Sequence, residues 1–305
     1  MNFDDLGTRI KKYEKESEYI IPYSNYIIVR VDGHKFSKFT KGFKKPFDSI
    51  IVETMENTAK DLFVEFNAVT AYVQSDEITL VIPPQFSIKH TQTSIDGDGS
   101  ELVEPKIINN QILGGRTQKL ASLIASLATL KFNKHLEEQI ISQNEVLEDF
   151  YSNSFRQTND EREWRNQMGL YKSKIGKAWF DARVFGVPDD IEAFNTVMWR
   201  VRDCIKNSKS MFAQAYCSHK SLLNKNGEDQ ISFCLETTGN DWNTIPDKVK
   251  FGILIKKESF IKVISPNETV KRTRVVSWSE PLTTFSMENV NMITKKLKNE
   301  ELNKN

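Results

Sequence analysis

Cysteine is scarce here. Cys204, Cys217 and Cys234 are the three in 305 residues, with no C-x-x-C pair among them. Their odd number argues against a disulfide framework and for reduced thiols in an intracellular protein. The four histidines form no ligand-like pair, which makes a zinc centre improbable. Long apolar runs are missing as well. The most apolar helical stretch, residues 120–130, is far shorter than the roughly 20 residues that span a bilayer. The opening MNFDDLGTRIKKYEKESE offers no apolar core for export. A cytoplasmic protein with no membrane partner is the expectation. Charge of one sign is not in excess either, because the net charge is +1, so any signal for nucleic acid must be local.

What is present is an ordinary globular composition, 39% hydrophobic and 27% charged, in a chain long enough for one large domain or two smaller ones. Residues 4–18 read as a short charged helix and 26–31 as a strand rich in β-branched residues. Residues 48–66 show helical spacing, with Ile51, Met55, Ala59, Leu62 and Phe66 on one face and Asp48 as the cap. Strands at 69–73 and 78–82 flank Ser75-Asp76-Glu77. Residues 85–110 read as a polar insertion or long loop. A helix begins near Arg116, with Leu120, Ile124, Leu127 and Leu130 at core spacing. Segment 137–177 reads as polar and partly helical, with WRNQMGLYKSK on the surface. A strand at 178–187 is followed by a helix that Asp189-Asp190 opens and that ends near 204.

The order is β-α-β-β-α-β, a split βαβ of the ferredoxin-like kind within an α+β fold. That topology sets the first strand beside the third, so Asp32 at the tip of IIVRVDGHKF and Asp76 in the hairpin turn can meet. Two such carboxylates suit a hard divalent cation, and Gly33 could lend its carbonyl. A pair of magnesium ions would clamp the oxygens of a phosphoryl transfer. Taken singly, Asp-Gly and Ser-Asp-Glu are ordinary turn sequences. Lys35, Lys38, Lys41, Lys44 and Lys45 alternate with Phe36, Phe39 and Phe43, a pattern that suits phosphates and bases, or a solvated loop anchored by its aromatics. Gly114-Gly115-Arg116-Thr117-Gln118-Lys119 opens a helix without Walker A spacing and could hold a triphosphate. Asp96-Gly97-Asp98-Gly99-Ser100 lacks the glycine and the final glutamate of a calcium loop. Cys204 reads as core, and His219 has no partner suited to a triad.

Four stretches in order, IIVRVDGHKFSKFTKGFKKPFD, AYVQSDEITLVI, GGRTQKLASLIASLATLKFN and WFDARVFGVPD, resemble the tRNA-histidine guanylyltransferase family and its 3′-to-5′ polymerase relatives. The likeness begins at Leu6-Gly7 and runs, with insertions, to about residue 255. It implies a polymerase palm with two magnesium ions, nucleoside triphosphates (ATP and GTP among them) as substrates, tRNA as partner, and a homotetramer built as a dimer of dimers. Asp32, Gly33 and Asp76 match the family's metal positions. Asp32, Gly33, His34, Lys35, Phe36, Ser37 and Ser75 match its triphosphate wrap. Lys45 and Asp48 match positions near the nucleotide and the 5′ end. Arg116 and Lys119 match its basic pair, and Glu77 follows the metal aspartate as it does there, so that Asp32, Asp76 and Glu77 are the expected catalytic carboxylates.

Two departures bear on the activity. Cys204 is followed by IKNSKSM, which keeps only Asn207 of the family's His-Ile-Asn-Asn-Leu-Tyr-Asn motif, and Ser37 stands where eukaryotic members often have histidine. Both favour templated 5′-end repair over addition of a single guanylate. A palm-type nucleotide cyclase and a non-catalytic RNA-binding protein are the other readings. The expected organisation is a catalytic palm over 1–205, with insertions at about 85–110 and 137–177. A C-terminal α/β extension over 206–305 follows, with a helix near 220–227, β-rich runs at 251–278 and a frayed tail.

Overall fold

The computed structural model describes residues 3–95, 101–152, 159–265 and 268–297. Helix α1 (Phe3–Glu16) precedes strand β1 (Tyr26–Gly33), the short α2 (Phe36–Phe39) and α3 (Ser49–Glu65). The hairpin β2 (Thr70–Gln74) and β3 (Glu77–Ile82) follows, then a second hairpin of β4 (Phe86–Ile95) and β5 (Glu101–Asn109). Helices α4 (Thr117–Ser152) and α5 (Asn159–Lys172) lead to β6 (Phe180–Val187) and α6 (Asp190–Tyr216). Then come α7 (His219–Leu222), α8 (Gly227–Thr238), α9 (Asp247–Lys250), β7 (Ile253–Ser265), β8 (Glu268–Trp278) and α10 (Met287–Thr294).

Six strands form one antiparallel sheet in the order β6-β1-β3-β2-β7-β8, and β4 and β5 form a ribbon of their own. Because side chains alternate across a strand, β1 feeds two cores. Ile27, Val29 and Val31 join Met55, Ala59 and Leu62 of α3 and Leu120, Ile124 and Phe132 of α4. Tyr26 and Ile28 join Phe194, Val197 and Val201 of α6 and Val290 and Ile293 of α10. The sheet therefore carries helices on both faces. Asp48 caps α3 as its position suggests, accepting from the Ile50 amide at 3.0 Å.

Several expectations change. Residues 85–110 are not a loop: β4 pairs with β5 from Phe86↔Asn109 to Ile95↔Glu101. Thr91, Thr93, Val103, Ile107 and Ile108 carry the strand propensity, and the polarity suits a ribbon with only two strands. The Asp96–Ser100 run lies outside the described residues. Leu130 is 64% exposed; the core line of α4 continues instead through Ala128, Phe132, Leu136 and Ile140, carrying the helix well past 137. WRNQMGLYKSK is not a surface element, because Trp164, Met168 and Tyr171, at i, i+4 and i+7 on α5, are buried. Helix α6 does not stop near 204 but runs to Tyr216. There Phe212 and Ala213 pack with Cys234 and Trp242, and this packing outweighs the weak helix propensity of KNSKS. The helix near 220 is a single turn, α7. Helix α10 ends at Thr294, and residues 298–305 of the expected tail lie outside the described residues.

Phe132, with no exposed surface, lies within 5.2–5.9 Å of the rings of Phe36, Phe39 and Phe180. Phe132→Ala is expected to cost about 3–5 kcal/mol by urea denaturation, as for other large-to-small aromatic changes in a core. It also removes the shared support of the two segments that reach the sheet end holding Asp32.

Candidate functional site

The register of β1 builds an acidic row. Asp32 lies opposite Glu77 of β3 and opposite Asp181 of β6, and directly paired residues share a face of the sheet. That face is the one covered by α6, since Tyr26 and Ile28 of the same phase belong to the α6 core. Asp76 closes the β2–β3 turn after Ser75, whose φ of 48° is costly for a residue with a Cβ. The Gly33 amide donates to the Asp76 carbonyl at 3.1 Å, which ties the turn to the strand tip. Burial and then the neighbouring charge of Asp32 push the Asp76 carboxyl up to about 6. The two aspartates therefore do meet.

Glu77 is engaged differently. Its Oε1 accepts from Arg200 Nε at 2.6 Å and from Gln74 Nε2 at 3.2 Å, and Arg30 Nε stands 3.7 Å from Oε2. Burial still lifts its pKa against the pull of Arg200. Arg200 also donates to Asp203 at 3.0 Å and lies 4.6 Å over the Trp199 ring. Glu77 is thus a buried counter-ion of Arg200 and Arg30.

Two cavities meet at Asp76. One, about 720 Å³, is lined by Gly33, Lys35, Phe36, Ser37, Lys45, Asp48, Ser75 and Asp76, together with Lys41 and Lys44. It gathers most of the residues expected to wrap a nucleotide. The other, about 540 Å³, contains Asp32 and Asp76 and runs along α6 past Arg200, Asn207, Ser210 and Gln214, with Lys248 across from them. Sequence reasoning missed this second wall. Its signal was the spacing of Arg200, Asn207, Met211 and Gln214, which lie on one helical face once α6 continues beyond 204.

Several of the expected residues carry structural duties as well. The rings of Phe36, Phe39 and Phe43 are 6–9% exposed and pack with Phe132, Phe180 and Tyr171, so they anchor the lysine segment and leave bases to other groups. Lys35 adopts the left-handed conformation, φ 52° and ψ 38°. Asp48 is 6% exposed, and its oxygens accept from the amides of Ile50 and Lys44 and from the Tyr171 hydroxyl. Its carboxylate is committed to the loop that carries the lysines. His34 lines neither cavity; its amide donates to the Trp179 carbonyl at 2.9 Å.

Arg116 and Lys119 stand at the other end of the sheet. Thr117 donates to Tyr19 before β1 begins, whereas Thr129 of the same helix accepts from Phe180, the partner of Gly33. Thirteen residues of helix, about 20 Å, separate Arg116 from that level. Cys204 is closed chemically, since burial pushes its thiol up to about 11. All three cysteines are unpaired, and His219 is exposed on α7.

The acidic centre fits a hard cation. Its donors are two carboxylates and nearby main-chain oxygens, and burial together with the charge of Asp32 disfavours the ionised Asp76. Among the described residues no group of three or more His, Cys, Asp or Glu side chains is placed to hold a metal. Magnesium, which typically completes its shell with water and substrate phosphates, suits such a sparse set. In metal-free buffer, Asp76 binds its proton more tightly folded than unfolded. The contribution of Asp76 to stability is therefore fully present below about pH 4 and is lost as pH rises through about 6. Asp76→Asn is expected to raise stability at pH 7.5 by up to about 3 kcal/mol, an advantage gone by pH 4. Thermal melts of both proteins should also show magnesium raising the midpoint of the wild type and not of D76N.

Comparison with known proteins follows the same residues. The family model for Thg1, tRNAHis guanylyltransferase, matches residues 7–188. An uncharacterized protein of Acanthamoeba polyphaga mimivirus is 32% identical over 262 residues, covering 84% of this chain and 78% of its own. A tRNA(His) guanylyltransferase of Debaryomyces hansenii is 37% identical over 82 residues, 26% of this chain and 30% of that protein. Among solved structures, a bacterial tRNA(His) guanylyltransferase (Thg1)-like protein in complex with ATP superposes with a TM-score of 0.59 at 30% identity, covering 82% of this chain and 88% of that one. A bacterial Thg1-like protein in complex with GTP gives 0.57 at 29% identity, covering 89% and 90%. The matched span holds the aspartate pair and the lysine loop, and the chain belongs to the tRNAHis guanylyltransferase family.

Proposed function

We propose that this protein is a magnesium-dependent nucleotidyltransferase that extends the 5′ end of tRNA in the 3′-to-5′ direction. The observation that carries this is the junction of two cavities at Asp76, one rich in lysine and the other bounded by α6. The strand order β6-β1-β3-β2 supports a ferredoxin-like polymerase palm. The ATP and GTP complexes of the bacterial relatives support nucleoside triphosphates as substrates.

In this reading Lys35, Lys41, Lys44 and Lys45 neutralise a triphosphate while Ser75 and the Gly33–Ser37 main chain approach it. Asp32, Asp76 and the Gly33 carbonyl hold the magnesium. When bound, the metal supplies charge neutralisation for in-line displacement at phosphorus. The 3′-hydroxyl of the incoming nucleotide attacks the 5′ α-phosphorus of the RNA, and AMP leaves from an adenylylated end or pyrophosphate from a triphosphorylated one. Positioning by the anchored lysine loop supplies much of the acceleration. Arg116 and Lys119, remote from both cavities of their own chain, take RNA phosphates. A cytoplasmic homotetramer completes the reading. The divergence after Cys204, where only Asn207 remains on the cavity wall, favours templated repair over single guanylate addition.

The test uses a 5′-labelled tRNA lacking its first nucleotide, with magnesium, ATP and each nucleoside triphosphate in turn. The expected result is growth by the nucleotide complementary to the acceptor strand. Asp76→Ala is expected to lower the rate by about three orders of magnitude, equivalent to losing roughly 4 kcal/mol of charge stabilisation. Its tRNA affinity should stay within about twofold, because its carboxylate acts through the metal. One guanylate added only to full-length tRNA-histidine would replace repair with guanylyl transfer. Product formed from nucleotide without RNA would point to a cyclase.

A further inference from the structure

Trp179 is 65% exposed, yet its surroundings are rigid. Ala178 and Phe180 on either side are buried, at 4% and 7% exposure. Ala178 exchanges two hydrogen bonds with the Asn133 side chain, at 3.2 and 2.9 Å, and the Phe180 amide donates to Thr129 Oγ1 at 3.1 Å. The Trp179 carbonyl accepts from the His34 amide, and the His34 ring lies against the indole with centroids 5.7 Å apart and planes 47° apart. A large apolar ring is thus held in water by a main chain with no freedom to bury it. An indole held this firmly offers a fixed π-face to a partner.

The position narrows the partner. Trp179 shares its strand phase with Asp181, the cross-strand neighbour of Asp32, and stands about 7 Å further along the chain. Lys35 follows His34 and lines the larger cavity, and Lys174, five residues before Trp179, lies over the Phe39 ring of the lysine segment, so the indole stands at the border of that segment. Neither cavity includes Trp179 or His34, which leaves the incoming nucleotide housed elsewhere.

We propose that Trp179, braced by His34, is a stacking platform for the terminal base at the 5′ end of the RNA. This rests on the nucleotidyl-transfer reading above and deepens it. Stacking needs only a π-face, so the platform accepts any terminal base and leaves choice of nucleotide to the template. The stacked base fixes the reacting phosphorus over Asp32 and Asp76.

The experiment compares wild type, Trp179→Ala and Trp179→Phe on a 5′-triphosphorylated tRNA lacking its first nucleotide. It measures KM for RNA, Kd for GTP alone, and RNA affinity by fluorescence anisotropy. W179A is expected to raise the KM and the Kd for RNA about five- to 150-fold while leaving GTP affinity unchanged, with W179F recovering most of the loss. RNA constants within twofold of wild type in W179A would overturn the platform. A parallel loss of GTP affinity, or a changed oligomer by light scattering, would overturn it as well. A wild type that binds RNA through Trp179 but extends none would remove the nucleotidyl-transfer reading and keep the platform. A wild type that binds no RNA would remove both.

Discussion

Everything at this site depends on the register of β1 between β3 and β6. That register lines up Asp181, Asp32 and Glu77 across the sheet end and brings the Asp76 turn against Gly33. Acids in a row repel, and the row survives because the arginines are placed one step behind it. Arg30 lies two residues before Asp32 on the same face, and Arg200 reaches in from α6, so Glu77 is paired on both sides. A buried ion pair of this kind adds little net stability. Removing either partner would strand the other, at about 3–5 kcal/mol. Its use here is positional: it absorbs one of the acids and leaves the field of the two aspartates directed at the cavities.

The same pairing explains why the C-terminal part of the chain matters to a site that the N-terminal motifs define. Arg200, Asn207 and Gln214 belong to α6, whose far end is held by Phe212 against Cys234 and Trp242. Strand β7 adds to the sheet beside β2 through Ala71↔Ile255, below the turn that carries Asp76. The lysine segment has a corresponding support. Three phenylalanines and Tyr171 fasten it from beneath, and Asp48 binds the Lys44 amide while capping α3. Cations of one sign are therefore kept near a cavity without an acid among their side chains to neutralise them, because the one acid in the loop is spent on main-chain amides.

Much of this was legible in the residues. The Asp-Gly tip of a β-branched strand and the Ser-Asp-Glu turn announce themselves by local pattern, and strand order follows from the succession of elements. The lysines were legible as a cluster, but the partners of their aromatics were not, since Phe132, Tyr171 and Phe180 lie more than 85 residues downstream. Helix α6 past Cys204 was invisible for the same reason: IKNSKSM has weak helical preference, and its continuation rests on contacts with α8 and Trp242. The GGRTQK segment starts its helix at the sheet end away from the aspartates. Its glycines and cations suit phosphate, yet no local rule states at which end of a sheet a helix will start.

The site also shows where folding and chemistry pull apart. Two residues with side chains, Lys35 and Ser75, hold positive φ within a few residues of the aspartates, and both line the larger cavity. Each such backbone costs about 1–3 kcal/mol and persists only where the surroundings over-determine it. Asp76 adds the cost of a carboxylate that burial and Asp32 both disfavour. These costs fall at one spot, the junction of the two cavities, while Ile27, Val29 and Val31 of the same strand are buried in the core that stabilises it. A single strand thus spans both roles: its interior stabilises the fold, and its last two residues hold the charge and the close backbone approach that the proposed chemistry would use. Natural proteins sit close to the stability they need, so an arrangement that worsens folding at one point is retained when function depends on that point.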